Sequence, residues 1–485
     1  MVLAPGASTT SSIHQRIARA VSDDVLRARL RPGDVLPSSR ALATMLGVHR
    51  NTVLAAYRDL GAEGWIEARP GGGTYVAAAI PERRARSASS SLGAREAMPG
   101  KTGFDVPAPL NAWLAPRTVE PLPRGTIALY SGVPDLRLVP VTALARAYRR
   151  ALRPVALGYG DPRGDVALRT QLAAMLSALR GVAATADSVL VTRGSQQALD
   201  LVARTLLRPG DVVAVEALGY SPAWAALAAS GATLVPVSVD EGGLRVDELE
   251  GLAAARPLRA VYLTPHHQYP TTVTLSAVRR LALLELARKR RIAVLEDDYD
   301  FEFHYDGRPV LPLASADRDG VVVYVGTLSK ILAPSLRLGF VVAPEPLLER
   351  LAAVRRANDR QGDAVVERAV AELLEDGEVQ RHARRMRRIY EERRDAFVRA
   401  LRRQLGGALE FDVPAGGMAI WARAPGIDVD AWADRARVRG VATLAVRDFT
   451  FSGRPPSAMR LGFAAHAEDV LREAVRRLAA ALPGG

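Results

Sequence analysis

Apolar residues at Ile13, Ile17, Val21 and Val25 recur at four-residue spacing, which gives one hydrophobic stripe and predicts a helix. Arg31-Pro32-Gly33-Asp34 interrupts the pattern. A second helix is expected from near Ser38, an N-cap residue type following Pro37, with Leu42, Met45 and Leu46 on its buried face. Gly47 ends that helix, Val48-His49 turns the chain, and a third helix from about Arg50 directs Val53, Tyr57 and Leu60 inward. Helix, glycine-containing turn and helix make a helix-turn-helix. Beyond Gly64, Trp65-Ile66-Glu67-Ala68-Arg69 and Thr74-Tyr75-Val76 flank a tip at Gly71-Gly72-Gly73, the two short strands of a wing.

Between about 78 and 125 the periodicity fades into Ala, Ser, Pro and Arg, as in Ala88-Ser89-Ser90-Ser91 and Pro107-Ala108-Pro109, the composition of a linker. Short apolar strands then alternate with helical stretches, at 189–192, 212–216, 232–237, 260–264, 292–295 and 321–325. This alternation predicts an α/β domain with a large, mostly parallel sheet between helices. From about 365 helices dominate around a short strand at 417–421, the pattern of a smaller α+β lobe. The expected organisation is a winged helix-turn-helix at 11–78, a linker at 79–124, and a second domain at 125–485 with a large lobe at about 155–350 and a small one at about 360–482.

The chain has 485 residues, 48% of them hydrophobic, ample for a large core. It has no cysteine, which excludes disulfides, thiolate metal sites and cysteine nucleophiles and fits a reducing cytoplasm. Neither a signal-peptide core in residues 1–12 nor an apolar run of about 20 residues is present, so a cytoplasmic protein without a membrane span is expected. A net charge of +13 is compatible with a polyanionic partner, although the arginines are scattered. Lysine occurs at only three positions, Lys101, Lys289 and Lys330, among 65 Lys+Arg. A chain that otherwise uses guanidinium keeps an amine where arginine cannot serve. A desolvated lysine can lose its proton and attack a carbonyl, as a Schiff base requires.

In doubly wound sheets ligands gather beyond the carboxyl ends of the strands. Those ends carry Arg193-Gly194-Ser195-Gln196-Gln197 opening a helix, Gly219-Tyr220, Asp297 with Tyr299, and Thr327, Ser329 and Lys330 followed by Arg337. Singly, each has an ordinary structural reading as a cap or a packing residue. Together they supply an amine, a carboxylate, a phenol, a stacking ring and a phosphate cradle, the set that pyridoxal 5'-phosphate needs.

This order resembles the fold-type I aminotransferases. Leu36-Pro37-Ser38-Ser39-Arg40, Leu46-Gly47-Val48-His49-Arg50-Asn51-Thr52-Val53 and Gly73-Thr74-Tyr75-Val76 resemble the GntR winged-helix family. Joined in one chain, over about 13–76 and 125–480, they resemble the MocR subgroup of bacterial transcription regulators. The resemblance implies that Lys330 bonds the cofactor, Asp297 partners its pyridine nitrogen, Tyr299 donates to its ring hydroxyl and Tyr220 stacks on the ring. It places Ser195, Gln196, Thr327, Ser329 and Arg337 on the phosphate side. Arg460, in Met459-Arg460-Leu461-Gly462-Phe463, matches the arginine that grips an amino acid's carboxylate, for which its fork is suited. Tyr159, in Tyr159-Gly160-Asp161-Pro162-Arg163-Gly164, matches a segment that reaches the cofactor, often across a dimer interface, and the resemblance implies a head-to-tail homodimer.

The chain departs from the family pattern at Thr272, where a glycine is usual, and at Leu218, where proline is common. His266 and His267 are adjacent but lack carboxylate or cysteine company in the sequence, so no metal site is expected. Arg50, Asn51 and Thr52 face the major groove of a double-stranded DNA operator in this reading, arginine suiting guanine and asparagine adenine. Arg40 and Arg69 suit phosphates or the minor groove, and His49 and Gly72 complete the expected contacts. His49 stands where the family has a capping serine, a change expected to weaken the helix start. Three functions follow: a regulator that senses the cofactor or an amino acid or amine effector, a working aminotransferase with a DNA-binding appendage, and a pyridoxal enzyme whose first unit mediates assembly. The first is favoured, because a winged helix has little use in simple metabolism.

Overall fold

The computed structural model describes residues 12–69, 72–80, 102–109, 113, 121–152, 158–307, 309–444 and 446–482. Gly71, Lys101 and most of the segment expected as a linker, residues 88–91 included, lie outside the described residues. The chain forms two compact units, Met1–Val106 and Pro107–Gly485.

In the first unit α1 (Ile13–Leu26), α2 (Ser39–Leu46) and α3 (Arg50–Ala62) are accompanied by β1 (Val35–Leu36), β2 (Ile66–Arg69) and β3 (Gly73–Val76). The strands form an antiparallel sheet in the order β1-β3-β2, a wing with one more strand than the sequence pattern showed. Ser38 accepts the Ala41 N–H at 3.2 Å and so caps α2, while Gly47 closes it in the left-handed conformation that glycine adopts without strain. Ile17, Val21, Leu42, Val53 and Leu60 are buried, but two expected core positions are not: Ile13 is 52% and Met45 69% exposed. Ile13 begins its helix, at the end of the stripe, and Met45 lies in the last turn before Gly47. Leu46 is half-buried against the core instead.

The second unit opens with β4 (Ile127–Ala128) and is built on a seven-stranded sheet. Along the chain come β5 (Val189–Thr192), β6 (Val212–Glu216), β7 (Thr233–Val237), the hairpin β8 (Val239–Asp240) and β9 (Gly243–Leu244), then β10 (Ala260–Leu263), β11 (Ala293–Asp298), β12 (Val322–Thr327) and β13 (Gly339–Val342). The sheet order is β5-β13-β12-β11-β10-β6-β7, parallel throughout except for β13, which is antiparallel to both neighbours. β5, β10, β12 and β13 are buried along their whole length, as strands covered on both faces must be. The sequence pattern missed β13. Gly339-Phe340-Val341-Val342 follows the Lys330 turn so closely that it reads as a continuation of the loop.

The small lobe pairs β14 (Ala419–Arg423) with β16 (Ala458–Gly462), and β15 (Val441–Ala442) with β4. The long helix Glu378–Leu405 and the last helix Glu468–Ala480 close over a core containing Trp432, Phe397, Phe463 and Leu471. Trp432 is fully buried and donates its indole N–H to the Leu478 carbonyl at 2.9 Å. Replacing it by alanine opens a cavity, and Trp432→Ala is expected to cost about 3–5 kcal/mol. Chemical denaturation of the full chain checks this, and an unchanged midpoint would contradict the assignment of Trp432 to the lobe's core.

Candidate functional site

β11 and β12 lie side by side and in parallel, with Asp297 opposite Val325 and Asp298 opposite Gly326. Their shared end therefore sets the carboxylate of Asp297 beside the turn that carries Lys330. The strand runs to Asp298, so Asp297 lies within its last residues instead of beyond them. Lys330 is half-buried, and burial lowers its amine from the ordinary value while the Asp300 and Asp297 carboxylates pull the other way. Gly132 adjoins it, since a Cβ there would stand 3.3 Å from Nζ.

Asp297 is buried and accepts the Tyr262 hydroxyl at 2.9 Å through Oδ2, while Oδ1 has no partner. A buried carboxylate oxygen without a donor is costly, and a pyridinium N–H is the donor that this oxygen lacks. Burial pushes the Asp297 carboxyl up to about 7, with the Tyr262 bond opposing the shift.

On the opposite side the helix Gly194–Leu206 begins at the end of β5. Ser195 is its second residue, and Gln196 donates to the Pro222 carbonyl at 2.7 Å while its Oε1 is left without a partner. Arg337, in the left-handed region at φ 51°, donates to the Arg193 carbonyl at 2.9 Å. Its guanidinium packs on Gly194, where a Cβ would be 3.2 Å from Nη2. A Cβ on Gly339 would stand 2.6 Å from the Gly194 carbonyl carbon and 2.8 Å from the Ser195 nitrogen, so the cradle requires glycine at that point. Thr327 and Ser329 are buried; Thr327 Oγ1 donates to the Leu338 carbonyl at 3.2 Å and accepts the Ser329 N–H at 3.1 Å. Free N–H groups at a helix start, hydroxyls and an exposed guanidinium form an anion site.

Tyr220 lies edge-on to Tyr269 at 5.4 Å and within electrostatic reach of both Asp297 and Arg337. Arg460, on β16, is buried, stacks over Tyr269 at 4.5 Å, donates to the Pro270 carbonyl and reaches the Tyr299 hydroxyl at 3.3 Å. Its Nε has no partner. The Tyr299 hydroxyl donates to the His267 carbonyl at 2.8 Å, so the proton expected for a cofactor oxygen is directed at the backbone here. Lys330, Asp297, Tyr220, Arg337 and Arg460 are thus brought together. Tyr159 is not: it is 82% exposed, lies under Arg360 at 4.0 Å and lines a separate cleft of about 820 Å3 with Arg150, Arg169 and Glu367.

Tyr262, Tyr269 and Asp300 were not among the site residues expected from the sequence. Tyr262 sits inside an apolar strand and reads as core; only its register opposite Leu295 brings its hydroxyl to Asp297. The reading that the histidine pair lacks carboxylate company is corrected: Asp300 Oδ1 lies 2.7 Å from His267 Nδ1, and His304 joins the pair.

In the winged unit Arg40, His49, Arg50, Asn51, Arg69 and Gly72 are exposed and Thr52 is half-buried. The expectation of a weakened helix start is also corrected, because His49 Nδ1 accepts the Asn51 N–H at 3.2 Å and caps α3 in place of a serine. Arg50 donates to Ser39 Oγ at 3.3 Å, which ties the start of α3 to α2. Arg69 pairs with Glu67 at 2.7 Å and lies over Tyr75, so a phosphate would compete with that carboxylate.

The two units thus define a class: a winged helix-turn-helix joined to a pyridoxal phosphate domain of aminotransferase fold. Comparison with known proteins agrees. Residues 124–478 match the aminotransferase class I and II family, and residues 13–76 match the bacterial regulatory proteins of the gntR family. The probable rhizopine catabolism regulatory protein MocR of Rhizobium meliloti is 32% identical over 97% of this chain and 93% of its own length. The HTH-type transcriptional regulator TauR of Rhodobacter capsulatus is 34% identical over 99% and 98%. Among solved structures, the α-aminoadipate aminotransferase LysN of Thermus thermophilus, complexed with N-(5'-phosphopyridoxyl)-L-leucine, superposes with a TM-score of 0.70 at 31% identity over 74% of this chain and 93% of that one. The chain belongs to the MocR-type transcription regulators of the gntR family, and its cofactor is pyridoxal 5'-phosphate.

The raised Asp297 pKa makes stability depend on pH when the cofactor is absent. Unfolded, the carboxyl ionises near 3.8; folded, it keeps its proton to about 7. Its contribution is therefore complete below the unfolded value and lost as pH rises through 7. Asp297→Asn removes the titration, so between pH 5 and pH 8 the variant is expected to lose less stability than the wild type, by up to about 3 kcal/mol. Thermal melts of cofactor-free protein at the two pH values test this, and parallel losses would count against it.

Proposed function

We propose that this regulator senses pyridoxal phosphate, or an amino acid or amine joined to it, in the second unit, and that the bound state alters how the winged helix engages an operator. The observation that carries the reading is one chain holding both an exposed α3 start with Arg50 and Asn51 and a buried end of β11 and β12 with Asp297 and Lys330. Coupling of this kind requires different effector affinities in the two DNA-binding states.

When bound, pyridoxal phosphate supplies an aldehyde that condenses with amines and a ring that withdraws electrons. Lys330 is positioned to hold that aldehyde and gives up its proton more readily than an exposed lysine. Asp297 Oδ1 is free to accept the pyridine N–H, Tyr220 to cover the ring, and Arg337 with Ser195, Gln196, Thr327 and Ser329 to take the phosphate. Arg460 suits an effector carboxylate, its unpartnered Nε being the available donor. The same equipment favours a second reading, an aminotransferase that turns over.

Assembly is proposed as a head-to-tail homodimer, in which the exposed ring of Tyr159 would serve the site of a second copy. No described helix is long and apolar enough to cross a membrane. The proposed setting is the cytoplasm.

Absorbance of the cofactor-loaded protein during addition of amino acids and amines separates the readings. A regulator is expected to show a persistent spectral change with one compound and no oxo acid, whereas repeated cycling to the pyridoxamine form identifies an enzyme. Lys330→Ala is expected to abolish the lysine-bound cofactor band, and its survival would remove Lys330 from the site. Joint replacement of Arg50 and Asn51 by alanine is expected to weaken specific DNA binding by about 1–3 kcal/mol per lost base contact with little change in nonspecific binding. Equal losses in both titrations would overturn base readout by these residues.

A further inference from the structure

The geometry points to a divalent metal site of zinc type formed by His266, His267 and His304, next to the cofactor site but separate from it. One ring nitrogen from each histidine lies within 4.8 Å of the other two. At that widest spacing a common centre is about 2.8 Å from each, so closing to zinc–nitrogen bonds of about 2.0–2.1 Å takes movements under about 1 Å. The three side chains come from the β10 end and from the segment after β11, elements fixed by the parallel pairing of those strands.

Two of the three rings, His266 and His304, have ring nitrogens without hydrogen-bond partners among the described residues. His266 is buried, and neither of its nitrogens has a partner. His304 has no hydrogen bond apart from a loose approach to the Asp306 backbone. A buried imidazole with both nitrogens unsatisfied is costly, and a metal ion is a partner that satisfies several such rings at once. Phe301 lies 5.0 Å from the His266 ring and offers it no polar contact.

His267 is arranged differently. Its Nδ1 lies 2.7 Å from Asp300 Oδ1, which fixes the ring and leaves Nε2 as the ligating atom. A carboxylate behind a histidine is the usual outer support of a metal-bound imidazole, and here it also places a negative charge beside the ion. Gly416 makes room for this ring: a Cβ there would stand 2.5 Å from His267 Nε2. Three imidazoles backed by a carboxylate suit zinc better than calcium or magnesium, which prefer oxygen ligands. His304 also borders a cavity of about 260 Å3, from which water can fill a fourth position.

The test uses full-length, cofactor-loaded protein, freed of excess cofactor and stripped with a chelator, then dialysed against zinc with the bound metal quantified. One zinc per chain is expected. His304→Ala is expected to bind about tenfold more weakly or worse, and His14→Ala, in the other unit, to bind as the wild type does. Cobalt(II) substituted into the wild type is expected to give the visible absorption of a four-coordinate site of three nitrogens and one water, a readout independent of whether any variant folds. Substoichiometric zinc, uptake unchanged in His304→Ala, or a six-coordinate cobalt spectrum would each overturn the proposal.

Discussion

The second unit depends on burying carboxylates at the end of one strand. β11 and the residues after it carry Glu296, Asp297, Asp298 and Asp300, all buried. An ionised carboxylate without partners is not tolerated in such a place, so each must be neutralised or supplied with donors. Glu296 takes the backbone N–H groups of Leu313 and Ala314 at 2.7 and 2.9 Å. Asp298 takes the Tyr324 hydroxyl at 2.6 Å and faces the buried Arg180 guanidinium at 3.4 Å. Asp300 holds His267. One oxygen each of Asp297, Asp298 and Asp300 lacks a hydrogen-bond partner, but Asp298 faces a guanidinium and Asp300 an imidazole, whereas Asp297 is hydrogen-bonded to the Tyr262 hydroxyl. The scaffold thus gives Asp298 and Asp300 a nitrogen base or cation as company and leaves Asp297 with an open acceptor that a ligand can use.

How much of this was legible in the sequence follows from the range of each interaction. Helices α2 and α3, the alternation of strand and helix, and the placement of Lys330 and Asp297 at strand ends are set by short-range pattern, and the structure has them. Ile13 and Met45 were misread because periodicity marks a face without saying where its cover stops. β13 was missed because an antiparallel strand threaded between parallel ones arrives directly from a turn and has no helix to announce it. Tyr262, Arg180 and His304 were invisible for another reason. Each meets partners far along the chain, as when Arg180 reaches Asp298, and no local spacing records such a meeting.

His49 shows how a departure from a family pattern can mislead. Replacing an expected serine looks like a lost cap, yet an imidazole nitrogen accepts the same kind of backbone N–H bond. A capping position is defined by an acceptor at the right reach, and the residue type is secondary.

The glycine contact between β13 and the helix at Gly194 gives the site one rigid jaw. With no space for even a methyl group at Gly339, and with Phe340 pressed so closely on Gly326 that a Cβ there would stand 2.4 Å from its ring, the phosphate cradle and the strand leading to Lys330 share one incompressible seam. Arg460 reaches the site from the small lobe, on a strand that forms a two-stranded sheet with β14 among the described residues. Adjustment to effectors of different size therefore falls to the Arg460 side, an asymmetry between anvil and hammer that a few missing side-chain atoms build into the domain.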